Sequence, residues 1–172
     1  LIDIGKIKEL REIKIEDGYL SIGAMSSHSK VMNNKDVNKV LPILNKILSQ
    51  VAHPAIRNKG THGGSVAYGD PAAELPAFAV LVDAQIVLSG SSGERVVSAK
   101  DFYKGLFETS INPDEILTSV KYPINQSNKK LFFDEITRRH GDYAMAGLVG
   151  SIKQKSNINE EINLVFLELV IN

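Results

Sequence analysis

The stretch that decides the fold reads Arg57-Asn58-Lys59-Gly60-Thr61-His62-Gly63-Gly64-Ser65, and it continues to Asp70-Pro71-Ala72-Ala73-Glu74. Its glycines allow unusual backbone angles and close approaches that a side chain would prevent. We predict a loop over 58–71 whose consecutive backbone N–H groups form an anion-binding nest, with the hydroxyls of Thr61 and Ser65 on either side. A plain turn fits the same spacing. The stretch is neither a Walker loop nor the Gly-x-Gly-x-x-Gly fingerprint of dinucleotide-binding folds.

The segments before this stretch predict a hairpin and a helix. Alternating apolar residues flank Asp17-Gly18, a pair that favours a tight hairpin turn. Apolar residues recur at helical spacing over 40–51, with Pro42 near the start, where its missing N–H is harmless. Directly after the stretch, 72–82 predicts a short apolar helix, with Asp70 as its N-cap. The stretch therefore lies between two predicted helices.

The segments that follow predict mostly strands. A second hairpin is expected from 85–88 and 95–97, with one helical turn at 101–104 and a further strand at 115–122. Three more strands are predicted with short connections, which favours antiparallel pairing; they cover 129–137, 145–153 and 161–171. Strands grouped around a few helices indicate the α+β class, with a mostly antiparallel sheet and flanking helices.

Composition excludes several classes of function. The 172 residues are 43% hydrophobic and 23% charged, as in a folded globular protein. Lys+Arg and Asp+Glu both number 20, so no basic excess indicates a nucleic-acid partner. The absence of cysteine excludes disulfides, iron–sulfur ligation and thiol catalysis within this chain. No metal-binding histidine spacing, signal peptide or membrane-length apolar run is found, so a cytoplasmic protein without a metal site is expected.

Two further segments carry information beyond the opening stretch. One reads Pro113-Asp114-Glu115-Ile116-Leu117, and the other reads Arg138-Arg139-His140-Gly141-Asp142-Tyr143-Ala144. Taken with the opening stretch and in this order, they closely resemble the flavin-binding subunits or domains of the molybdenum hydroxylases. That family includes the medium subunit of aerobic carbon monoxide dehydrogenase and the flavin domain of xanthine dehydrogenase. The resemblance runs over essentially the whole chain.

The resemblance implies a non-covalent FAD site and no catalytic side chain of the protein's own. Thr61 and the residues 63–65 match positions at the pyrophosphate and ribityl region. Glu74 matches an acid that hydrogen-bonds flavin hydroxyls, Leu117 a residue at the isoalloxazine, and 142–143 a loop at the ring face. The full set of residues that we predict to bind the cofactor is Thr61, His62, Gly63, Gly64, Ser65, Asp70, Glu74, Leu117, Asp142 and Tyr143.

Three positions differ from the usual family pattern. His62 stands where isoleucine or valine is usual, and Ser65 stands where asparagine or aspartate is usual. Glu135 occupies a place where many relatives carry a basic residue. The last difference implies a different local charge beside the flavin.

The resemblance also implies the domain organisation. Residues 1–124 would form the second lobe of a PCMH-type FAD-binding fold, and 125–172 the start of a small antiparallel C-terminal lobe. The family's N-terminal lobe, with a pyrophosphate-gripping loop, is expected before Leu1, and the C-terminal lobe is expected to continue beyond Ile171. Because FAD normally lies between lobes, we expect this chain alone to bind FAD weakly or not at all.

The resemblance implies an oxidoreductase subunit with two kinds of partner. An iron–sulfur small subunit would deliver electrons to FAD, an external acceptor would take them, and a molybdopterin large subunit would select the substrate. Two alternatives stay open. In the first alternative, the chain is a non-catalytic docking fragment that has lost flavin binding. In the second, it belongs to a cell-wall precursor reductase of the same fold group. The second alternative needs a substrate-binding extension, and the sequence contains none.

Overall fold

The computed structural model describes residues 2–124, 129–155 and 158–167. The helices of this part of the chain are α1 (His28–Met32), α2 (Lys35–Val40), α3 (Ile43–Gln50), α4 (Pro54–Lys59), α5 (His62–Tyr68), α6 (Glu74–Leu81) and α7 (Ala99–Phe102), after a 3-10 turn at Glu9–Arg11. The strands are β1 (Ile13–Glu16), β2 (Tyr19–Gly23), β3 (Gln85–Gly90), β4 (Gly93–Ser98), β5 (Tyr103–Gly105), β6 (Glu108–Thr109), β7 (Ile116–Pro123), β8 (Lys129–Ile136), β9 (Ala146–Lys155) and β10 (Ile158–Leu167).

The larger sheet has five antiparallel strands in the order β1-β2-β7-β3-β4. Both predicted hairpins are confirmed. Asp17 and Gly18 have φ of 50° and 80°, the left-handed pair that a tight hairpin turn requires. β7 pairs between the two hairpins and thereby closes them into one sheet. The α+β class is therefore confirmed.

The smaller sheet has three antiparallel strands in the order β10-β9-β8. These are the three strands predicted near the end of the sequence, although residues 168–171 of the last prediction lie outside the described residues. The inner face of this sheet packs on α6, and Phe133, Val149 and Leu167 join the same core cluster as Phe78 of α6. A further two-stranded ribbon is formed by β5 and β6.

The loop predicted over 58–71 is wrong, because most of it is helical. The chain forms α4 up to Lys59, turns at Gly60 and Thr61, and continues as α5 from His62 to Tyr68. Gly60, Gly63 and Gly64 are absent from the residues with positive φ. Glycine therefore occupies these positions because it is small, not because of its conformational freedom. A Cβ at Gly63 would lie 2.4 Å from the Cβ of Ala24, so glycine lets α5 lie against the end of β2.

The predicted helix boundaries need two further corrections. The helix predicted over 40–51 is interrupted at Leu41 and Pro42, so that α2 ends at Val40 and α3 begins at Ile43. Asp70 is not the N-cap of α6. It forms a turn ahead of the helix, in which its Oδ1 accepts from the backbone N of Ala72 at 2.9 Å, and Ala73 is the capping position.

Two findings concern the described residues alone. None of their helices has the length and apolar composition that crossing a bilayer requires. No group of three or more His, Asp or Glu among them could hold a metal ion. The division at residue 124 stays a prediction; it falls just after β7 ends at Pro123.

Candidate functional site

Helix α5 separates the predicted site residues into two groups. His62, Gly63 and Val66 face inward and are buried, whereas Gly64 and Tyr68 are exposed on the opposite side. A helix of 3.6 residues per turn places position 68 on the same face as positions 64 and 65, since it follows them by four and three residues. Ser65 therefore shares the outer face of α5 with Gly64 and Tyr68, opposite the buried residues of the helix.

The predicted anion-binding nest is not formed over residues 62–65, because each of these four N–H groups already has an acceptor. His62 N donates to the Ser26 carbonyl at 2.9 Å, and Gly63 N donates to the Ala24 carbonyl at 2.9 Å. Thr61 N-caps α5, with its hydroxyl accepting from Gly64 N at 3.2 Å and its carbonyl accepting from Ser65 N at 3.1 Å. These N–H groups hold α5 in place and are not directed at a ligand.

The His62 side chain belongs to the core. Its imidazole is buried, and Nε2 lies 2.7 Å from the hydroxyl of Tyr122 on β7 in a shared hydrogen bond. Burial, with a smaller effect from His28, lowers the pKa of His62 to about 3, so the ring is neutral at physiological pH. Its side chain therefore ties α5 to the large sheet and does not reach an exposed ligand.

Five of the predicted residues converge on one cavity. The cavity has a volume of about 340 Å³, which is within the range of small-molecule sites. Its walls come from the α3–α4 connection, the outward face of α5, the turn before α6 and the loop between β8 and β9. The lining residues are Val51, Ala52, Ile56, Ser65, Tyr68, Asp70, Ala73, Glu74, Gly141, Asp142 and Tyr143.

The cavity is acidic. Asp70 and Glu74 are only 7% and 9% exposed, and no lysine or arginine is among its described lining residues. Burial, followed by the nearby charges of Glu135 and Asp70, raises the pKa of Glu74 to about 7. Carboxylates accept hydrogen bonds and repel anions. The cavity therefore suits hydroxyl or ring N–H donors and disfavours phosphate.

Glu135 on β8 extends this acidic region. Both of its carboxylate oxygens are buried without a hydrogen-bond partner among the described residues. Burial, with a contribution from Asp134, raises its pKa above the ordinary value. By the resemblance, many relatives carry a basic residue at this position, and this chain carries an acid.

Tight backbone contacts fix one wall of the cavity. Gly141 has φ of +86° and crosses the α3–α4 connection so closely that a Cβ would lie 2.7 Å from the Ala52 carbonyl oxygen. The guanidinium of Arg57 donates to the carbonyls of Val51 and Ala52 at 3.0 and 2.6 Å. The Nη1 group of Arg57 thus stabilises the conformation of the α3–α4 connection.

Tyr143 closes the cavity on the side of this loop. It is largely exposed, and its pKa is raised mainly by partial burial and also by the nearby carboxylate of Asp70. Tyr143 and Asp70 line the same cavity, which thus brings the third sequence motif together with the first.

Other predicted residues lie elsewhere. Leu117 is buried in β7 as part of the hydrophobic core and is not among the residues that line the cavity. The carboxylate of Glu115, in the same motif, accepts from Arg95 Nε at 2.6 Å and Nη2 at 2.7 Å, so it supports the sheet edge. The sequence reasoning missed the lining residues Val51, Ala52, Ile56, Tyr68, Ala73 and Gly141. Tyr68 was detectable at helical spacing from Ser65, had 62–68 been predicted as a helix.

This chain is similar in sequence to several known proteins. Residues 1–125 match the family described as "FAD binding domain in molybdopterin dehydrogenase". The 6-hydroxypseudooxynicotine dehydrogenase complex subunit alpha of Paenarthrobacter nicotinovorans is 40% identical over 86% of this chain and 50% of its own length. The carbon monoxide dehydrogenase medium chain of Hydrogenophaga pseudoflava is 32% identical over 95% of this chain and 57% of its own length.

A solved structure agrees in fold as well as in sequence. Quinoline 2-oxidoreductase from Pseudomonas putida 86 superposes with a TM-score of 0.90 and 37% identity, over 95% of this chain and 57% of that one. The chain spans about half the length of the curated relatives that it matches. With the family match covering most of the chain, the sequence motifs and the fold lead to one conclusion: this chain belongs to the FAD-binding domain family of the molybdopterin dehydrogenases.

Proposed function

We propose that this chain forms one side of the FAD site in the flavin subunit of a molybdenum-containing oxidoreductase complex. The observation that carries the proposal is the cavity in which Ser65, Asp70, Glu74, Asp142 and Tyr143 meet, since these residues come from two separated sequence motifs. A cavity of about 340 Å³ has room for part of a dinucleotide cofactor, not for all of it. The remaining part would need a second protein surface.

The chemistry of the lining residues fits the flavin half of FAD. Glu74 and Asp70 are acceptors for the ribityl hydroxyls, and the exposed Tyr143 ring supplies an aromatic surface for the flat ring system. Ser65 and the exposed Gly64 leave the outer face of α5 open to close approach by the cofactor backbone. Since the N–H groups of α5 are already bonded, the negative charge of the pyrophosphate would be neutralised mainly elsewhere.

When bound, the flavin supplies reversible electron transfer, and the role of the protein is to hold and orient it. We propose that an iron–sulfur small subunit and a molybdopterin large subunit are the partners, and that electrons leave to an external acceptor. The names of the relatives support a multi-subunit assembly, since they describe a "complex subunit alpha" and a "medium chain". The absence of cysteine from this chain fits the placement of iron–sulfur centres on another chain.

The test is an FAD titration of the full-length subunit and of two variants. Glu74→Ala removes a buried acceptor of the proposed ribityl contact and should weaken FAD binding by about tenfold or more, the usual effect of losing a hydrogen bond to a charged group. Glu94→Ala removes an exposed acid on β4 and should leave the affinity unchanged.

Two results would count against the proposal. A full-length subunit that binds no flavin would favour the docking-fragment alternative. Equal affinities of the wild type and Glu74→Ala would show that FAD binds without this cavity. A thermal unfolding scan of each variant separates weaker binding from loss of fold.

A further inference from the structure

Glu135 carries a buried carboxylate that the proposed function does not use. It lies on β8 two residues after the buried Phe133, so its side chain leaves the strand on the same, inner face. Neither of its carboxylate oxygens has a hydrogen-bond partner among the described residues. Because a buried carboxylate without a partner is costly, such a group takes up a proton more readily than an exposed acid.

The inner face of the small sheet brings Glu135 toward the start of α6. Glu135 is paired with Gly147 of β9, where a Cβ would lie 3.0 Å from the Cβ of Glu135, so glycine leaves the space beside the acid free. Helix α6 packs on β9 and β10, and its first residue is Glu74. The pKa of Glu74 is raised first by burial and next by the charge of Glu135, so the two carboxyl groups interact.

The described residues provide no counter-ion for these two glutamates, since neither carboxylate belongs to an ion pair there. On α3, which packs against β8, the ammonium of Lys46 donates to the Phe133 carbonyl, and Arg57 of α4 donates to carbonyls of the α3–α4 connection. The other titratable groups on the elements around the pair are Tyr68, Asp70, Asp142 and Tyr143 in the cavity wall and the exposed His53, Asp134, Arg138, Arg139 and His140. Two carboxylates that repel each other without a counter-ion favour a state in which they hold one proton.

Glu74 is the member of this pair that lines the cavity, and with a pKa of about 7 it is half protonated near neutral pH. In the proposed function, Glu74 accepts hydrogen bonds from the ribityl hydroxyls. An ionised carboxylate accepts more strongly than a protonated one. FAD should therefore select the ionised form of Glu74, and its binding near neutral pH should release a proton.

We propose that Glu135 is a positioning residue of the FAD site, which shares a proton with Glu74 and thereby makes the affinity for FAD rise with pH across neutrality. This inference rests on the proposed function, in which Glu74 contacts the ribityl chain. Glu135 acts through Glu74, because it is not among the described residues that line the cavity. Without the charge of Glu135, Glu74 ionises at lower pH, and the pH dependence moves to more acidic conditions.

The test is the FAD affinity of the full-length subunit at pH 6 and at pH 8, measured by calorimetry in two buffers of different ionisation enthalpy, which also counts the protons released. The wild type should bind roughly five- to tenfold more tightly at pH 8, since a group with a pKa of about 7 ionises between these values. Glu135→Gln should bind roughly two- to fourfold more tightly than the wild type at pH 6 and within about twofold of it at pH 8.

Three further variants serve as controls. Asp134→Asn removes an equal charge from an exposed position on the same strand and should follow the wild type at both pH values. Glu135→Asp keeps the charge and should keep the rise in affinity with pH. Glu74→Gln removes the titrating group itself and should bind FAD equally at both pH values, so the inference is tested even if Glu135→Gln does not fold.

The outcomes separate this inference from the proposed function. Tighter binding by Glu135→Gln at pH 6 alone, with fewer protons released, supports the shared proton. The inference is overturned by a wild-type affinity that does not change with pH, by an equal change in Glu135→Gln, or by a gain in Glu135→Gln of the same size at both pH values. Each of these results leaves the proposed function intact, whereas a subunit that binds no flavin overturns the proposed function instead.

Discussion

Glu74 is a single residue of the cavity whose buried carboxylate lowers the stability of the folded chain. Its carboxyl group is nearly buried, it lies near Glu135 and Asp70, and no cation is among the described residues of the cavity wall. A buried acid of this kind is more easily protonated in the folded chain than in the unfolded chain, so its pKa is raised to about 7 from 4.5. Folding therefore takes up protons, and this residue makes the protein less stable as pH rises through that interval.

Glu74→Gln is accordingly expected to stabilise the protein above neutrality. Glutamine resembles the protonated acid, so the variant and the wild type should be nearly equal in stability at pH 5. At pH 8 the variant should be more stable by about 2–3 kcal/mol, the free energy that a shift of this size represents. Urea unfolding of FAD-free protein at both pH values checks this. The exposed-acid control Glu94→Gln should follow the wild type, and a parallel pH dependence in Glu74→Gln would contradict the prediction.

Gly63 and Gly64 are adjacent in sequence and differ in their surroundings. A Cβ at Gly63 would meet the Cβ and Cα of Ala24 at 2.4 and 2.6 Å, which no side-chain rotation relieves. We expect Gly63→Ala to destabilise the protein by about 2 kcal/mol or more, since overpacking outweighs the gain in helix propensity. Gly64→Ala meets only the Thr61 hydroxyl, at 2.7 Å, which would turn away and give up its N-cap bond; the gain in helix propensity largely offsets that cost of about 1 kcal/mol, so stability should change by less than about 1 kcal/mol. Thermal unfolding of both variants is the measurement, and equal losses would show that the approach of α5 to Ala24 is not tight.

At the scale of elements, the hairpins were predictable and α5 was not. Asp17-Gly18 specifies its own turn by local backbone preference, and local signals of this kind are visible in the sequence. Glycine is required at position 63 by the close contact with Ala24, which lies 39 positions earlier in the sequence. No local sequence signal distinguishes such a glycine from one in a loop. The same contact turns His62 inward. The motif thus indicated the family and the region of the site, while the face of α5 that lines the cavity depends on tertiary packing.

The hydrogen bond between His62 and Tyr122 fixes α5 to β7, and its removal should be costly. Tyr122→Phe leaves the buried imidazole without its partner at Nε2, while Nδ1 already lacks one among the described residues. We expect a loss of about 1–3 kcal/mol, the cost of a buried polar group that is left unsatisfied. The double variant His62→Ile with Tyr122→Phe replaces both polar partners and should recover much of this loss. Urea midpoints of the single and double variants decide the matter; a double variant less stable than Tyr122→Phe would contradict it.

The two buried histidines should also make the packing of α1 and α5 sensitive to acid. Burial lowers the pKa of His28 to about 4 and that of His62 to about 3. Because the unfolded chain takes up these protons near pH 6.5, their contribution to stability is complete above that pH and declines as pH falls. His62→Ile should therefore lose less stability than the wild type between pH 7 and pH 5, as measured by urea unfolding. An identical loss would mean that other groups cause the acid sensitivity.

At the scale of the whole molecule, one hydrophobic core joins the two sheets. Helix α6 is apolar on nearly every side, which is typical of a helix enclosed by other elements. Phe78 of α6 stacks on Tyr122 of the large sheet with ring centroids 5.5 Å apart, and it shares the core cluster with Phe133 and Val149 of the small sheet. The resemblance implied two lobes divided at residue 124; that division stays a prediction, and residues on both sides of it contribute to the same core cluster.

This shared core predicts that both sheets unfold in one transition. Phe133 is buried at the junction, so Phe133→Ala should cost about 3–5 kcal/mol and lower the stability of both sheets together. Amide NMR signals of Leu20 in β2 and of Val149 in β9 should then disappear at the same urea concentration, in the variant as in the wild type. The control Ile136→Ala truncates an exposed side chain on the same strand and should shift that concentration little, within about 0.5 kcal/mol. If Val149 were lost well before Leu20 in Phe133→Ala, the small sheet would be a separate folding unit and α6 would not couple the two.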